Sequence, residues 1–129
     1  MPFVVKTGSI NANIDEIIEV VEKPFYGGKN IVVGAELFLW SSETQGGVGL
    51  WGRGVVTNVA LADPKLSVRT RITHLASTAN FGLEQIAPHR DSTTNDPVVG
   101  LARKLYKHSH NKIAQITDDE AILLQQCFG

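Results

Sequence analysis

Between Ile31 and Leu75 the chain carries three long apolar-rich runs with only short punctuation between them, and nothing else in it constrains the fold as strongly. "IVVGAELFLWSSE" alternates, placing Leu37, Leu39 and Ser41 on one face and Glu36, Phe38, Trp40 and Ser42 on the other. Gly46-Gly47 marks a turn, "VGLWGRGVVTNVAL" a second and longer strand, and Asp63-Pro64 the next turn. "LSVRTRITHL" then sets Leu66, Val68, Thr70, Ile72 and His74 against Ser67, Arg69, Arg71, Thr73 and Leu75. Long strands joined by short turns predict antiparallel neighbours, hence a curved antiparallel sheet or small β-barrel with flanking helices. Gly49, Gly52 and Gly54 interrupt the middle strand, where glycine marks a bulge, a sharp bend or a close approach.

The remaining segments fill in the order. "PFVVKTG" (Pro2–Gly8) reads as a first strand. In "NIDEIIEVVEK", Ile14, Ile17, Ile18 and Val21 fall on one helical stripe, with Asn13 as cap, Glu16 as its reciprocal partner and Pro24 as the stop. Residues 76–95 read as loop with one short helical turn. Asp96-Pro97 opens a helix, "KIAQI" is a short strand, and Thr117-Asp118-Asp119-Glu120 is a capping-box signature for the last helix. The class is α+β. At 129 residues and 43% hydrophobic content the chain fits one domain over residues 1–129.

Charge bounds the partners. The formal net charge is -1, which excludes a strongly basic tail. Yet residues 50–112 hold nine Lys/Arg against four acids, together with all four histidines, so the middle of the chain is a candidate backbone-binding face. The alternative is scattered, solvated charge. Cys127 stands alone, so no disulfide framework is expected, and its apolar surroundings predict a buried small hydrophobe. No signal peptide or membrane-length apolar run is evident, which makes a cytoplasmic setting the expectation.

Catalytic signatures are missing from the sequence: no P-loop, GxGxxG after a strand, HExxH or GxSxG is present. His108-Ser-His110 lacks carboxylate or cysteine companions for a metal, and His89-Arg90-Asp91 lacks a nucleophile. No cofactor, metal or catalytic residue is therefore expected. What remains is the pair of tryptophans, Trp40 and Trp51, at the two lips of the Gly46-Gly47 turn. Aromatics beside small polar groups hold flat ligands: rings take the π-face while Ser, Glu and backbone groups take the edge. A nucleobase extruded from its stack is held that way. The competing reading makes both indoles core residues or a cross-strand pair.

"LFLWSSETQGGVGLWGRGVV" also resembles the EVE domain of the PUA-like superfamily, to which YTH and ASCH domains are related. The likeness lies in Phe38-Leu39-Trp40-Ser41, the Gly46-Gly47 turn and Gly49-Leu50-Trp51-Gly52-Arg53-Gly54-Val55-Val56. "NKIAQITDDEAILLQQCF" is similar to the closing strand and helix of EVE-like modules joined to HNH nucleases. The resemblance implies a PUA-like barrel whose aromatic pocket takes a flipped modified base, of the 5-methylcytosine type, in DNA rather than RNA. A nuclease or effector would be a separate partner, and no membrane partner is expected. Trp40 and Trp51 would stack on the base, Phe38 would form a wall, and Ser41, Ser42 and Glu43 would bond its edge. Arg53, Arg69, Arg71, Lys104 and Lys107 would hold phosphates. Near-neutral charge implies modest, salt-sensitive affinity. A rival is an ASCH-like protein acting on RNA or a nucleotide, with hydrolase residues drawn from Glu43, His74 and His89. A third reading is a protein-binding adaptor with the tryptophans as an exposed hot spot.

Overall fold

The computed structural model describes residues 2–7, 12–22, 31–41, 49–62, 65–76, 86–89, 91–94, 96–107 and 113–128. It is a small α+β structure. Six strands, β1 (Phe3–Thr7), β2 (Ile17–Glu22), β3 (Glu36–Ser41), β4 (Gly49–Ala62), β5 (Lys65–Leu75) and β6 (Ile113–Gln115), form one sheet ordered β2-β5-β4-β3-β1-β6. The sheet is mixed and open. β3, β4 and β5 make the expected antiparallel meander, but β1 runs parallel to β3, which corrects the all-antiparallel expectation. The reason is a crossover: after β1 the chain travels to the far edge to lay β2 on β5, then returns to start β3 at the same end as β1.

The helix expected from Ile14 to Val21 is a turn followed by β2. Asn13 and Glu16 do meet, with Asn13 Nδ2 donating to Glu16 Oε1 at 3.2 Å and Glu16 N–H to Asn13 O at 3.1 Å, but these are a side-chain pair and a turn bond, not the side-chain-to-backbone bonds of a capping box. Asp15, however, sits at φ 71°, a left-handed conformation that breaks a helix. Its N–H donates to Ile72 O, and Ile72 N–H donates to Glu16 O, so pairing with β5 takes over the backbone. Four β-branched residues, Ile17, Ile18, Val20 and Val21, suit a strand equally well. Val20 points into the core and Ile17 is exposed.

The sheet separates two apolar clusters. On the inner face Phe3, Val5, Val20, Leu37, Leu39, Val56, Leu66, Val68, Ile72 and Ile113 join, so every strand contributes. Neither helix does. Ala12, Ile31 and Ala35, from the segments before β2 and β3, complete it. On the outer face Val4, Phe38, Trp40 and Leu50 meet the helices α1 (Pro97–Ala102) and α2 (Asp118–Gln125) through Leu101, Ala102, Ala121 and Leu124. Pro97 opens α1 as expected, although the Asp96 side chain makes no capping bond. The capping box of α2 is complete: Glu120 N–H donates to Thr117 Oγ1 at 3.1 Å and Thr117 N–H to Glu120 Oε1 at 2.8 Å. The buried Glu120 carboxylate also accepts from Lys104 Nζ at 2.5 Å. Its other oxygen lies where a side chain at Gly100 would begin, so a larger residue there would have to push the Glu120 carboxylate aside. Among the described residues no helix is long and apolar enough to cross a membrane.

Candidate functional site

The glycine-interrupted strand, read as marking a bulge, a bend or a close approach, does carry bulges, and one of them decides where the tryptophans go. Leu39 pairs with Gly52 and Trp40 with Leu50, so Trp51 is an extra residue between two pairs. Regular pairing from Leu39–Gly52 would have set Trp51 directly opposite Trp40. Instead Trp40 is 1% exposed in the outer cluster, among Phe38, Leu50 and Ile86, while Trp51 packs against the inner cluster. The two indoles stand on opposite faces and share no hollow.

Trp51 is half-buried and tethered. Its Nε1 donates to Thr7 Oγ1 at 3.0 Å, and Thr7 Oγ1 donates in turn to Trp40 O at 3.4 Å. Ala76 N–H donates to Trp51 O at 3.0 Å, closing the end of β5 against it. One side-chain bond and one backbone bond thus fix the ring at the sheet end where β1 and β3 stop and β4 begins. Ser41 is buried there, while Ser42 and Glu43 lie outside the described residues, as do His108 and His110 and the side chains of Lys107 and Cys127.

Of the predicted phosphate cations, Arg53, Arg69, Arg71 and Lys104 are each engaged by an acid. Arg69 Nε meets Glu19 at 3.2 Å and Arg71 meets Asp15 at 3.2 Å, both pairs well exposed on the part of the outer face formed by β2 and β5. Arg53 meets Glu36 at 3.0 Å and Lys104 meets Glu120, both partly buried. Exposed pairs of the first kind are worth about 0–1 kcal/mol and yield readily to a phosphate. Arg53 and Lys104 are committed to local structure.

A second gathering of polar and aromatic groups escaped the sequence reading. Arg53 Cζ lies 5.8 Å over the Phe38 ring. Phe128, from the turn after α2, stands 6.2 Å from Phe38 and 6.1 Å from His74, tilted by 40° to the first ring and edge-on at 68° to the second. Gln125 Nε2 donates to Glu36 Oε1 at 3.0 Å, and Arg53 takes the other carboxylate oxygen. His74 was expected on the core face. A bulge that leaves Thr73 unpaired turns it instead onto the face of Arg53, where it is exposed. Thr73 Oγ1 donates to Arg53 O at 3.1 Å and lies 2.9 Å from His74 Nδ1, so Nδ1 carries the proton of the neutral ring and Nε2 is its acceptor. Beside this group a cleft of about 240 Å³ is lined by Pro2, Glu36, Asp118, Ala121, Ile122 and Gln125. Nothing in the sequence of β5 announces the bulge at Thr73, and no local pattern links Glu36 to Gln125 or Phe38 to Phe128.

His89 is exposed on a short helical turn, Ala87–His89, and no described contact joins it to His74. Among the described residues no three His, Cys, Asp or Glu side chains gather to hold a metal ion. Compared with protein-family models, with curated proteins and with solved structures, the chain matches none.

Proposed function

We propose that this is a nucleic-acid-binding domain that holds a flipped or unstacked base, of the modified-cytosine type and in DNA rather than RNA, against Trp51. The observation that carries the reading is the state of that one ring. It is a large aromatic, partly open, whose orientation is fixed by the bond from Nε1 to Thr7 before any ligand arrives. A ring already immobilised loses little entropy on stacking, so more of the contact energy reaches the affinity. An inner face to which all six strands contribute favours a PUA-like, barrel-like reading of the open sheet. Trp40 and Phe38 act behind the site as packing rather than as its walls. Arg69 and Arg71, on the other face of the sheet from Trp51, are the cations able to turn to phosphate where the nucleic-acid strand runs on past the sheet end, each by leaving an exposed acid.

Stacking contributes about 1–3 kcal/mol per base, so Trp51→Ala should weaken binding of a methylcytosine-bearing oligonucleotide by about tenfold or more. Fluorescence anisotropy of labelled strands measures this. Arg69→Gln and Arg71→Gln should each lower the slope of log affinity against log salt by about one. Equal affinity of Trp51→Ala and wild-type protein for modified and plain strands would remove the base-holding role.

A further inference from the structure

We infer that the last turn of the described chain, Gln125 to Phe128, is an internal stand-in for a ligand: it fills a second, nucleobase-type niche on the outer face. The inference builds on the nucleic-acid reading but uses none of the Trp51 residues.

The niche has the parts that recognise a flat heterocycle. Phe38 offers a ring already faced by Arg53, 5.8 Å from its centroid, and His74 stands at the edge. Glu36 offers a carboxylate whose Oε1 accepts a primary amide N–H₂ from Gln125 at 3.0 Å. An exocyclic amine of cytosine or adenine presents the same donor to a carboxylate. Phe128 supplies the other half of such a ligand, a flat ring 6.2 Å from Phe38. Gln125 and Phe128 stand three apart on one helical turn, so both reach the same side together. A planar ring beside an amide donor is the outline of an aminated base.

The occupant is open to solvent on one side. Phe38 is fully buried beneath it, whereas Gln125 and Phe128 are half-buried and Gln126 is exposed. The cleft of about 240 Å³ ends on Glu36 and Gln125, and gives a ligand a way in beside the amide it would replace. While the turn stays seated, apparent affinity is reduced by the fraction of molecules in which it is displaced. The niche would therefore read cytosine or adenine in a single strand only after the turn gives way.

Opening the turn tests this. Phe128→Leu keeps apolar volume while removing the flat ring, and Gln125→Ala removes the amide. In the double variant, an oligo-dC strand should bind at least tenfold more tightly than to wild type. Oligo-dT, which lacks the amine, should gain little, and adding Glu36→Leu, which removes the acceptor, should abolish the dC gain. A folded double variant, by circular dichroism, that binds dC no better than wild type overturns the inference. Should the double variant not fold, Gln125→Ala alone is titrated with oligo-dC in its place, and affinity no higher than that of wild type overturns it equally. Placing the double variant on a Trp51→Ala background separates the two proposals. A dC gain that survives there supports the niche whatever becomes of Trp51. Binding lost with Trp51 and not regained leaves the Trp51 site standing and the niche refuted. No binding by wild type or opened protein refutes both.

Discussion

Trp40 and Trp51 lie on neighbouring antiparallel strands, yet one is sealed in the cluster beneath two helices and the other stands half-open on the opposite face. The difference is a single residue of register. Trp40 pairs with Leu50, Leu39 pairs with Gly52, and the residue left over is the second indole. Trp40 has become packing for the outer cluster, its value measured in buried area. Trp51 keeps an exposed part and a fixed orientation, and is the ring of the pair with something left to offer a ligand. Like residues a few positions apart can thus be divided between stability and binding by one bulge.

The sharpest way to break this contrast is Trp40→Ala. Emptying the outer cluster should cost about 3–5 kcal/mol, and the variant should unfold at much lower urea concentration, if it folds at all. Gly54→Ala comes next. A Cβ there would begin 2.5 Å from Arg71 O and 2.6 Å from Thr70 Cγ2, so β4 and β5 must part. A loss of about 1–3 kcal/mol should appear in thermal melts, from the inner side of the sheet this time. Trp51→Phe keeps a ring but loses the bond to Thr7, and should cost about 0.5–1.5 kcal/mol by chemical denaturation. A cost for Trp51→Phe as large as for Trp40→Ala would erase the division drawn between them. Thr70→Val should move the other way. The Thr70 hydroxyl is fully buried and has no hydrogen-bond partner among the described residues, so its removal should add about 1 kcal/mol to stability. Smallest is Arg69→Ala on the exposed pair with Glu19, expected to change stability by about 0–1 kcal/mol and best resolved by a salt series.

Much of the fold could be read from local pattern, and the exceptions have definite causes. The β3-β4-β5 meander follows from alternation and two turns. The last helix follows from Thr117 and Glu120, because a capping box is satisfied within four residues. β2 misled because Ile14, Ile17, Ile18 and Val21 satisfy a helical stripe, while the choice was made by the hydrogen bonds that β5 offers Asp15 and Glu16. The candidate site was less legible. Trp51 could be singled out as an aromatic beside glycines, but whether it joined Trp40 depended on a bulge. Arg53, Arg69, Arg71 and Lys104 could be seen as cations, but not as partners of Glu36, Glu19, Asp15 and Glu120.

By itself, then, the sequence determined the α+β class, the long central strands and the capped final helix, since each rests on spacing within a few residues. Tertiary structure alone decided the parallel placement of β1, the separation of the indoles and the meeting of Glu36, Arg53 and Phe38 with Gln125 and Phe128. Those depend on which strand lies beside which and on one residue of register, and such choices are settled by burial and hydrogen bonding between segments far apart in the chain.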